Sequence, residues 1–318
     1  MKKKLAIIIP AYKAYFFREV LDSIVKQHNR DFTVYIGDDA SPDDLGTIVA
    51  EYTDKLDIVY FRFKQNLGGK DLVAHWERCI SMSDEPLIWL FSDDDLMPPD
   101  AVGRILEAMQ IYGESNVVFR FHLSVVNDCG ELKYTNPPFE TERISGYSFL
   151  LDKLSGKISS AACEYVFSRD VWEQTGGFIK FPMAWCSDDA TWAKFADYAG
   201  GIIALPGDSV CWRNADAKNI SNSECFDKEK LKATGLFLEW IGRNYQKYLR
   251  EPKLRNALVI YVNVILTCSV RGNYNLRDLL RLSTILGRFV PSAAFRVLKS
   301  HILKAKMFVS ASVICMFF

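Results

Sequence analysis

Three groups of neighbouring carboxylates in this sequence have residue types and spacing that could do chemistry. They are Asp93–Asp95, Asp38-Asp39 and Asp188-Asp189. Neighbouring carboxylates repel one another unless a cation or solvent neutralises them, and Mg²⁺ or Mn²⁺ binds carboxylates while keeping coordination sites for phosphate. An ionised carboxylate also accepts hydrogen bonds from a base or ribose, or takes a proton from a hydroxyl nucleophile. The three groups are therefore candidates for a metal site, a nucleotide contact and a general base.

The same carboxylates also have plainer explanations. Asp93–Asp95 could form a solvated acidic turn, and Asp38-Asp39 could be loop acids beside a helix cap at Ser41. Asp188-Asp189 precede a helical pattern, where acids are stabilised by the positive end of the helix dipole. The elements that position these groups must decide between the two explanations.

Short apolar runs alternate with segments of helical periodicity through the first 125 residues. Strands are predicted for Leu5–Ile9, Phe32–Ile36, Ile58–Phe61, Leu87–Phe91 and Val117–Phe121. The continuous apolar run Leu5–Ile9 suits a strand buried on both faces of a parallel sheet. This order predicts an α/β fold, with an open, mostly parallel sheet and helices on both faces. Such sheets bind ligands at the carboxyl ends of their strands, where Asp38-Asp39 and Asp93–Asp95 lie.

The remaining sequence indicates a less regular segment followed by a helical one. Cys163–Ser168 and Val210–Arg213 predict short strands, and Asp188–Tyr198 predicts a helix. A further helix is expected to start at Ser41-Pro42-Asp43-Asp44, with Ser41 as its cap. From Asp227 onward the pattern is helical. We therefore predict one domain over residues 1–225 and a helical region over residues 226–318.

Several function classes are disfavoured by what the sequence lacks. No GxGxxG motif follows the first strand and no GxxxxGK[ST] motif occurs, which argues against nicotinamide or flavin enzymes and P-loop nucleotidases. The eight cysteines form no CxxC pair, a usage typical of reduced thiols in a cytosolic protein. The longest apolar run, Ala257–Val270, is short for a membrane span, so no transmembrane helix is predicted.

The charge distribution is uneven although the formal net charge is zero. From Asp227 to the end there are 16 Lys and Arg residues against five Asp and Glu residues. In that region Leu279, Leu282, Ile285, Leu286 and Phe289 form an apolar stripe beside Arg277, Arg281 and Arg288. A basic amphipathic helix predicts contact with an anionic membrane surface. The alternative is a helical subdomain packed on the first domain.

Seven segments, in sequence order over about residues 4–222, resemble the motifs of glycosyltransferase family 2. They are Ile7–Lys13, Gly37–Asp43, Asn66–Gly69, Ser92–Asp95, Cys163–Arg169 with Gly176-Gly177-Phe178, Asp188-Asp189, and Trp212-Arg213 with Asn219-Ile220-Ser221. The resemblance implies a GT-A fold with a Rossmann-like sheet. It does not cover the chain beyond about residue 225, where the periodicity predicts a helical C-terminal extension. It also implies an inverting transferase that moves a sugar from a nucleotide diphosphate donor, expected to be a UDP-sugar.

The resemblance further implies roles for individual residues. Donor contacts are expected from Pro10, Ala11, Tyr12, Asp39, Gly68, Lys70, Asp93 and Arg213. A divalent cation, Mn²⁺ or Mg²⁺, is expected on Asp94 with Asp93 and Asp95. Asp189 is the expected catalytic base, with Asp188 beside it. Residues 1–125 would then bind the nucleotide sugar and residues 126–225 the acceptor.

The sequence departs from the family pattern at several positions. Lys13 stands where the family usually has Asn, Ser92 stands for the first acid of the metal motif, and no QxxRW motif follows Asp189. The last absence disfavours processive polymer synthesis. Trp185 and Trp192 flank the acid pair and are candidates either for stacking on an acceptor sugar or for core packing.

We expect a glycan or lipid-linked glycan acceptor, no nucleic-acid partner, and a cytoplasmic protein peripheral to the inner face of the membrane. Two alternatives stay open at this point. One is a catalytically inactive sugar-nucleotide-binding or scaffold protein, which would keep Tyr12 and Asp39 without needing Asp189. The other is a nucleotidyltransferase, although Pro10–Lys13 lacks the Gly-rich phosphate loop expected of it.

Overall fold

A computed structural model describes residues 3–215 and 223–301 of the chain. The described residues divide into two compact units. The first comprises residues 3–150 and 158–215, and the second comprises residues 151–157 and 223–301. All nine strands of the described chain belong to the first unit.

Strands and helices alternate through the first part of this unit. The elements are β1 (Leu5–Ala11), α1 (Phe17–Val25), β2 (Phe32–Asp38), α2 (Leu45–Ala50), β3 (Ile58–Arg62), α3 (Leu72–Ile80), β4 (Leu87–Leu90), α4 (Ala101–Tyr112) and β5 (Val118–Val126). All five predicted strands are present. Every residue of β2 and β4 is buried, as expected for strands covered on both faces.

The elements that follow are shorter and less regular. They are β6 (Leu132–Thr135), β7 (Arg143–Ile144), α5 (Gly146–Leu154), β8 (Tyr165–Ser168), α6 (Arg169–Gln174), α7 (Ser187–Ala199) and β9 (Ile202–Arg213). The strand predicted over Cys163–Ser168 begins only at Tyr165, because Ala162–Glu164 form a 3₁₀ turn. The short strand predicted over Val210–Arg213 is the end of the twelve-residue β9.

The strands form one mixed sheet in the order β3-β2-β1-β4-β8-β5-β9-β7, with β6 paired to β5. β3, β2, β1 and β4 run parallel, so their carboxyl ends share one edge. β8 lies antiparallel between β4 and β5. The mostly parallel α/β sheet predicted from the sequence is therefore confirmed, with β8 inserted antiparallel between β4 and β5.

The start of α2 differs from the prediction. The helix begins at Leu45, and its N-cap is Asp44, whose side chain accepts a hydrogen bond from the backbone N–H of Thr47. The hydroxyl of Ser41 instead donates to the backbone carbonyl of Tyr12 at 2.5 Å. Ser41 is drawn away from the helix because the turn after β2 lies against the turn after β1.

The second unit contains helices α8 (Asp227–Asn244), α9 (Pro252–Val264) and α10 (Leu276–Phe289), and residues 291–301 are also helical. α10 packs closely on α8 at two glycines. A Cβ atom added to Gly235 would lie 3.0 Å from the side chain of Ile285, and one added to Gly242 would lie 2.5 Å from the ring of Phe289. Gly235 and Gly242 are two turns apart and therefore share a helix face.

This packing changes the interpretation of the C-terminal apolar stripe. Leu279, Leu282, Ile285 and Leu286 are buried in the described structure. The stripe thus supplies the core of the second unit, so its buried residues are not a surface available to a membrane. The solvent-facing side of α10 carries Leu276, Arg277, Leu280, Arg281 and Arg288. Within the described ranges, no helix has the length and apolar character needed to cross a membrane.

Candidate active site

The carboxyl ends of β2, β1 and β4 bring three predicted site segments together. β1 lies between β2 and β4, so the turns after these strands are neighbours. Pro10 and Ala11 form the last residues of β1, and the backbone N–H of Asp39 donates to the carbonyl of Ala11 at 2.9 Å. Tyr12 follows them with its side chain 42% exposed. This edge of the sheet therefore has an exposed aromatic ring beside buried carboxylates.

Asp93 ties the turn after β4 to the turn after β1. One of its carboxylate oxygens accepts hydrogen bonds from the backbone N–H groups of Tyr12 and Lys13, both at 2.8 Å. Burial, together with the nearby charge of Asp94, raises the pKa of Asp93 to about 6. Asp93 is thus a buried group that holds the turn after β1 against the turn after β4.

Asp94 is the carboxylate of the cluster that reaches the surface of the edge. Its side chain is 13% exposed. One oxygen lies 3.2 Å from the ammonium nitrogen of Lys13, and the other accepts a 2.7 Å hydrogen bond from the hydroxyl of Ser92. Burial lowers the pKa of Lys13, but the carboxylates of Asp94 and Asp93 outweigh it and raise that pKa overall.

Asp95 faces the opposite way, toward β9. Its carboxylate accepts a 2.8 Å hydrogen bond from the backbone N–H of Arg213, and its other oxygen lies 2.6 Å from the hydroxyl of Ser92. Burial and the charge of Asp94 raise the pKa of Asp95 to about 7. Because the Ser92 hydroxyl has one proton to share between Asp94 and Asp95, a protonated Asp95 satisfies both contacts.

Arg213 is enclosed at the same edge. Its side chain is 1% exposed and donates to the backbone carbonyls of Asp94 and Asp128 at 3.0 Å each and to the carboxylate of Glu19 at 2.5 Å. Its guanidinium also lies 4.1 Å from the centre of the Phe16 ring. These contacts hold the turn containing Asp94 in place.

Asp39 organises the glycine-containing loop that follows β3. Its two oxygens accept hydrogen bonds from the backbone N–H groups of Leu67 at 2.8 Å and Gly68 at 2.7 Å, and one of them also pairs with Arg78. A Cβ added at position 68 would lie 2.8 Å from the Asp39 carboxylate, so a larger residue would displace the carboxylate from these hydrogen bonds. Lys70, two residues later, is exposed.

Asp38 and a strained residue shape the turn between β2 and this loop. The carboxylate of Asp38 accepts hydrogen bonds from the hydroxyl of Tyr60 at 2.6 Å and from Arg62 at 2.7 Å. Ala40 adopts a φ of 54°, a conformation that is uncommon for a residue other than glycine. Such strain occurs preferentially at functional sites, where the surrounding contacts hold it.

The second acid pair lies in the first turn of α7. Asp189 is buried and Asp188 is half-buried. The segment leading into the helix has three residues other than glycine with positive φ: Met183 at 59°, Ala184 at 54° and Cys186 at 62°. Asp189 is therefore enclosed at the start of α7, and the explanation of a solvated helix start does not apply to it.

Contacts on both sides hold this helix start in place. The hydroxyl of Ser187 accepts a hydrogen bond from the backbone N–H of Phe181 at 3.0 Å, and that of Thr191 accepts one from Ile179 at 2.9 Å. Glu77 of α3 accepts a 2.6 Å hydrogen bond from the backbone N–H of Phe178, fixing the turn before this segment. Glu77 is not among the residues predicted from the sequence, because no local pattern marks it.

Trp192 is fully buried and therefore belongs to the core. Its ring stacks on Tyr165 at 4.4 Å between centroids and packs against Phe178 and Phe195. Of the two tryptophans named as acceptor candidates, only Trp185 is partly accessible.

The fit of the site to a divalent cation depends mainly on Asp94. Among the residues placed by the structure, no group of three or more His, Cys, Asp or Glu side chains converges as a metal site requires. Asp93 and Asp95 are turned to opposite sides and hydrogen-bonded to backbone. A single carboxylate fits a cation that takes its other oxygens from a diphosphate and water, as Mg²⁺ commonly does.

The fold and this edge define an α/β protein of the GT-A type. The model of the family Glycosyl transferase family 2 matches residues 6–167, just over half of the chain. The chain belongs to glycosyl transferase family 2 and is a glycosyltransferase. No curated protein matches it.

Solved structures give similar folds at low sequence identity. S. aureus TarS 1-349 in complex with UDP-GlcNAc is 17% identical, with a TM-score of 0.65 over 92% of this chain and 82% of that one. The longer S. aureus TarS chain is matched over half its length, at 15% identity and a TM-score of 0.61. Mannosyltransferase PcManGT from Pyrobaculum calidifontis, in complex with GDP-Man and Mn²⁺, is 17% identical, with a TM-score of 0.51 over 96% and 87% of the two chains. These likenesses concern the fold.

Proposed function

We propose that this glycosyltransferase moves a sugar from a nucleotide diphosphate donor, a UDP-sugar, to a hydroxyl of a glycan or lipid-linked glycan, inverting the anomeric centre. The observation that carries the proposal is the meeting of Tyr12, Asp39 and Asp94 at one edge of the sheet. It is supported by family membership and by UDP-GlcNAc and UDP in the TarS structures.

The donor is proposed to lie across the carboxyl ends of β2, β1 and β4. The exposed ring of Tyr12 offers a face for the nucleoside base. Asp39 shapes the loop at Gly68, and the exposed Lys70 supplies positive charge for phosphate. The remaining expected donor contacts are proposed to position the backbone around the donor and not to touch it with their side chains. Pro10 and Ala11 end β1, and the side chains of Asp93 and Arg213 are held in hydrogen bonds beneath the edge.

A divalent cation, Mn²⁺ or Mg²⁺, is proposed to be held by Asp94 together with donor oxygens. When bound, it would act as a Lewis acid toward the leaving diphosphate. Asp93 and Asp95 support this position from below by fixing the backbone of the turn. Mn²⁺ in the PcManGT complex supports the use of such an ion in this fold.

Asp189 is proposed as the catalytic base. It would take the proton of the acceptor hydroxyl while the hydroxyl oxygen bonds to the anomeric carbon. The bond between that carbon and the diphosphate oxygen breaks at the same time, and its electron pair stays with the diphosphate. The residues before Asp189 would form the acceptor side, with the partly accessible Trp185 as a surface for a sugar ring.

Peripheral attachment to an anionic membrane surface is proposed for the second unit. Its support is the solvent-facing side of α10, where Arg277 and Arg281 alternate with the exposed Leu276 and Leu280. A basic face with exposed leucines suits the boundary between lipid headgroups and acyl chains. Attachment to the membrane would bring the enzyme to the surface in which a lipid-linked acceptor is anchored.

The proposal is tested with a panel of nucleotide sugars that includes UDP-GlcNAc and GDP-mannose. Release of UDP from a UDP-sugar, with the released or transferred sugar inverted as seen by NMR, is the expected result. The Asp94→Asn variant should lose at least tenfold in turnover with Mn²⁺, because the cation loses its carboxylate. Retention of configuration, or preference for GDP-mannose, would contradict the mechanism or the donor respectively.

A further inference from the structure

The lysine at position 13 stands next to the carboxylate on which the metal assignment rests. The Lys13 ammonium nitrogen lies 3.2 Å from one oxygen of Asp94. The Lys13 side chain is 37% exposed, against 13% for Asp94, so Lys13 is the more accessible partner of this ion pair. A diphosphate bound next to this oxygen of Asp94 would therefore lie within reach of the ammonium.

The main chain of Lys13 is anchored by the turn after β4. The N–H of Lys13 donates to Asp93 at 2.8 Å, which anchors the residue directly above the turn that contains Asp94. The Ser92 hydroxyl donates to the second oxygen of Asp94 at 2.7 Å, so that carboxylate already has partners on both oxygens. A divalent cation at Asp94 would have to replace the ammonium or share the carboxylate with it.

Two cations compete for one carboxylate, because each repels the other at contact distance. An ammonium also donates hydrogen bonds to phosphate oxygens, which a compact, strongly hydrated charge does well. One side chain can thus lower the affinity of the empty site for a divalent cation and still neutralise a bound diphosphate.

We propose that Lys13 is a built-in cation at the metal site, which weakens divalent-cation binding at Asp94 and binds the donor's diphosphate. This inference rests on the proposed function, in which Asp94 faces the diphosphate. Lys13 would be a donor-binding residue, and nucleotide binding would depend less on Mn²⁺ than in a site without the lysine.

The direct test measures Mn²⁺ alone by electron paramagnetic resonance of the free ion, on the full chain and without nucleotide. Lys13→Met removes the charge from a side chain of similar length, and it keeps the hydrogen bond from the backbone N–H of residue 13 to Asp93. The variant should bind Mn²⁺ about tenfold more tightly than the wild type, the size of one partly exposed charge contact. Lys13→Arg keeps the charge and should stay near the wild type. Lys26→Met, at an exposed lysine beyond α1, is the matched control.

A second measurement follows UDP binding by calorimetry, in EDTA and in Mn²⁺. The Lys13→Met variant should lose about tenfold in UDP affinity in EDTA and much less in Mn²⁺, because the cation then supplies the missing charge. Equal Mn²⁺ affinity of the wild type and Lys13→Met would overturn the inference. The inference would also be overturned if Lys13→Met still raised the Mn²⁺ affinity of a protein that already carries Asp94→Asn. The effect of Lys13 would then not act through Asp94.

Failure of this inference can be told apart from failure of the proposed function. The Mn²⁺ titration uses no donor, so its result does not depend on which sugar is transferred or whether transfer inverts. If the enzyme released UDP from UDP-sugars but bound Mn²⁺ equally with and without Lys13, the proposed function would stand. The inference that Lys13 acts as a built-in cation would then be wrong.

Discussion

At the scale of single residues, the two acids at the start of α7 differ in burial although they are adjacent. Asp189 is buried, and Asp188 is half-buried. Neighbours on a helix point about 100° apart, so one acid faces the reaction centre and the other does not. Asp189→Asn keeps the shape but cannot accept a proton, and we expect its rate of transfer to fall by about 10²- to 10⁴-fold.

The matched variant is Asp188→Asn, for which a much smaller loss is expected. Both variants should bind UDP like the wild type by calorimetry, because the base is assigned to the acceptor side. If Asp188→Asn were the slower enzyme, the base would move to Asp188. If neither variant slowed transfer, a single displacement with a carboxylate base would be wrong.

The raised pKa of Asp95 predicts how the stability of the folded protein depends on pH. Its pKa is raised from 3.8 to about 7, so the folded protein binds its proton more tightly than the unfolded chain does. Asp95 therefore contributes stability that is present below pH 4 and is lost as the pH rises to about 7. His75, with its pKa lowered to about 4 by burial, changes stability in the opposite sense, so only a difference between variants isolates Asp95.

Asp95→Asn supplies that difference. An amide accepts from the Arg213 backbone N–H and donates to the Ser92 hydroxyl, as the protonated acid does. Relative to the wild type, the variant should gain melting temperature as the pH rises from about 4 to about 7, measured by thermal unfolding followed by circular dichroism. A difference that stays flat across this range would contradict the raised pKa.

At the scale of elements, two helical glycines should respond oppositely to one change. In α8, a Cβ at Gly242 would lie 2.5 Å from the Phe289 ring, and overpacking of this kind costs about 1–3 kcal/mol. In α4, Gly103 has open space around it, and alanine is favoured there by about 0.5–1 kcal/mol of helix propensity.

Gly242→Ala should therefore lower the free energy of unfolding and Gly103→Ala should raise it, measured by urea denaturation. The comparison tests the close packing of α10 on α8, since helix propensity favours alanine at both sites. Equal stabilisation by both substitutions would show that α10 does not approach α8 as closely as described.

At the scale of the whole molecule, opposite charges are segregated along the chain. The sequence after Asp227 is basic and the sequence before it is acidic by the same amount. If the α10 face contacts anionic lipid, sedimentation with phosphatidylserine vesicles should fall steeply as salt rises. Arg277→Gln with Arg281→Gln should weaken binding by about 2 kcal/mol, or roughly thirtyfold, at about 1 kcal/mol per arginine.

The control for this test removes two charges elsewhere. Lys26→Gln with Lys55→Gln changes exposed lysines of the first unit and should leave vesicle binding near that of the wild type. Equal binding to neutral and anionic vesicles, or equal losses in both double variants, would argue against a specific basic face on α10.

The local sequence determined most of the sheet edge. Apolar runs such as Leu5–Ile9 predict doubly buried strands, and polar turns after parallel strands must share an edge, so Tyr12, Asp39 and Asp93 could be placed together beforehand. The family motifs added the activity. These inferences succeed because strand burial and strand direction leave a signal within a few residues.

Only the tertiary structure decided what each carboxylate does. Asp93 accepts hydrogen bonds from backbone N–H groups of the turn after β1, and Asp95 accepts one from β9. Asp39 accepts hydrogen bonds from the loop at Gly68. Asp94 instead forms an ion pair with Lys13. The partners lie 28 to 118 positions away in sequence, so no local pattern carries their identity. The insertion of β8 and the burial of the α10 stripe by α8 were hidden for the same reason: pairing and burial between distant segments are set by the packing of the whole fold.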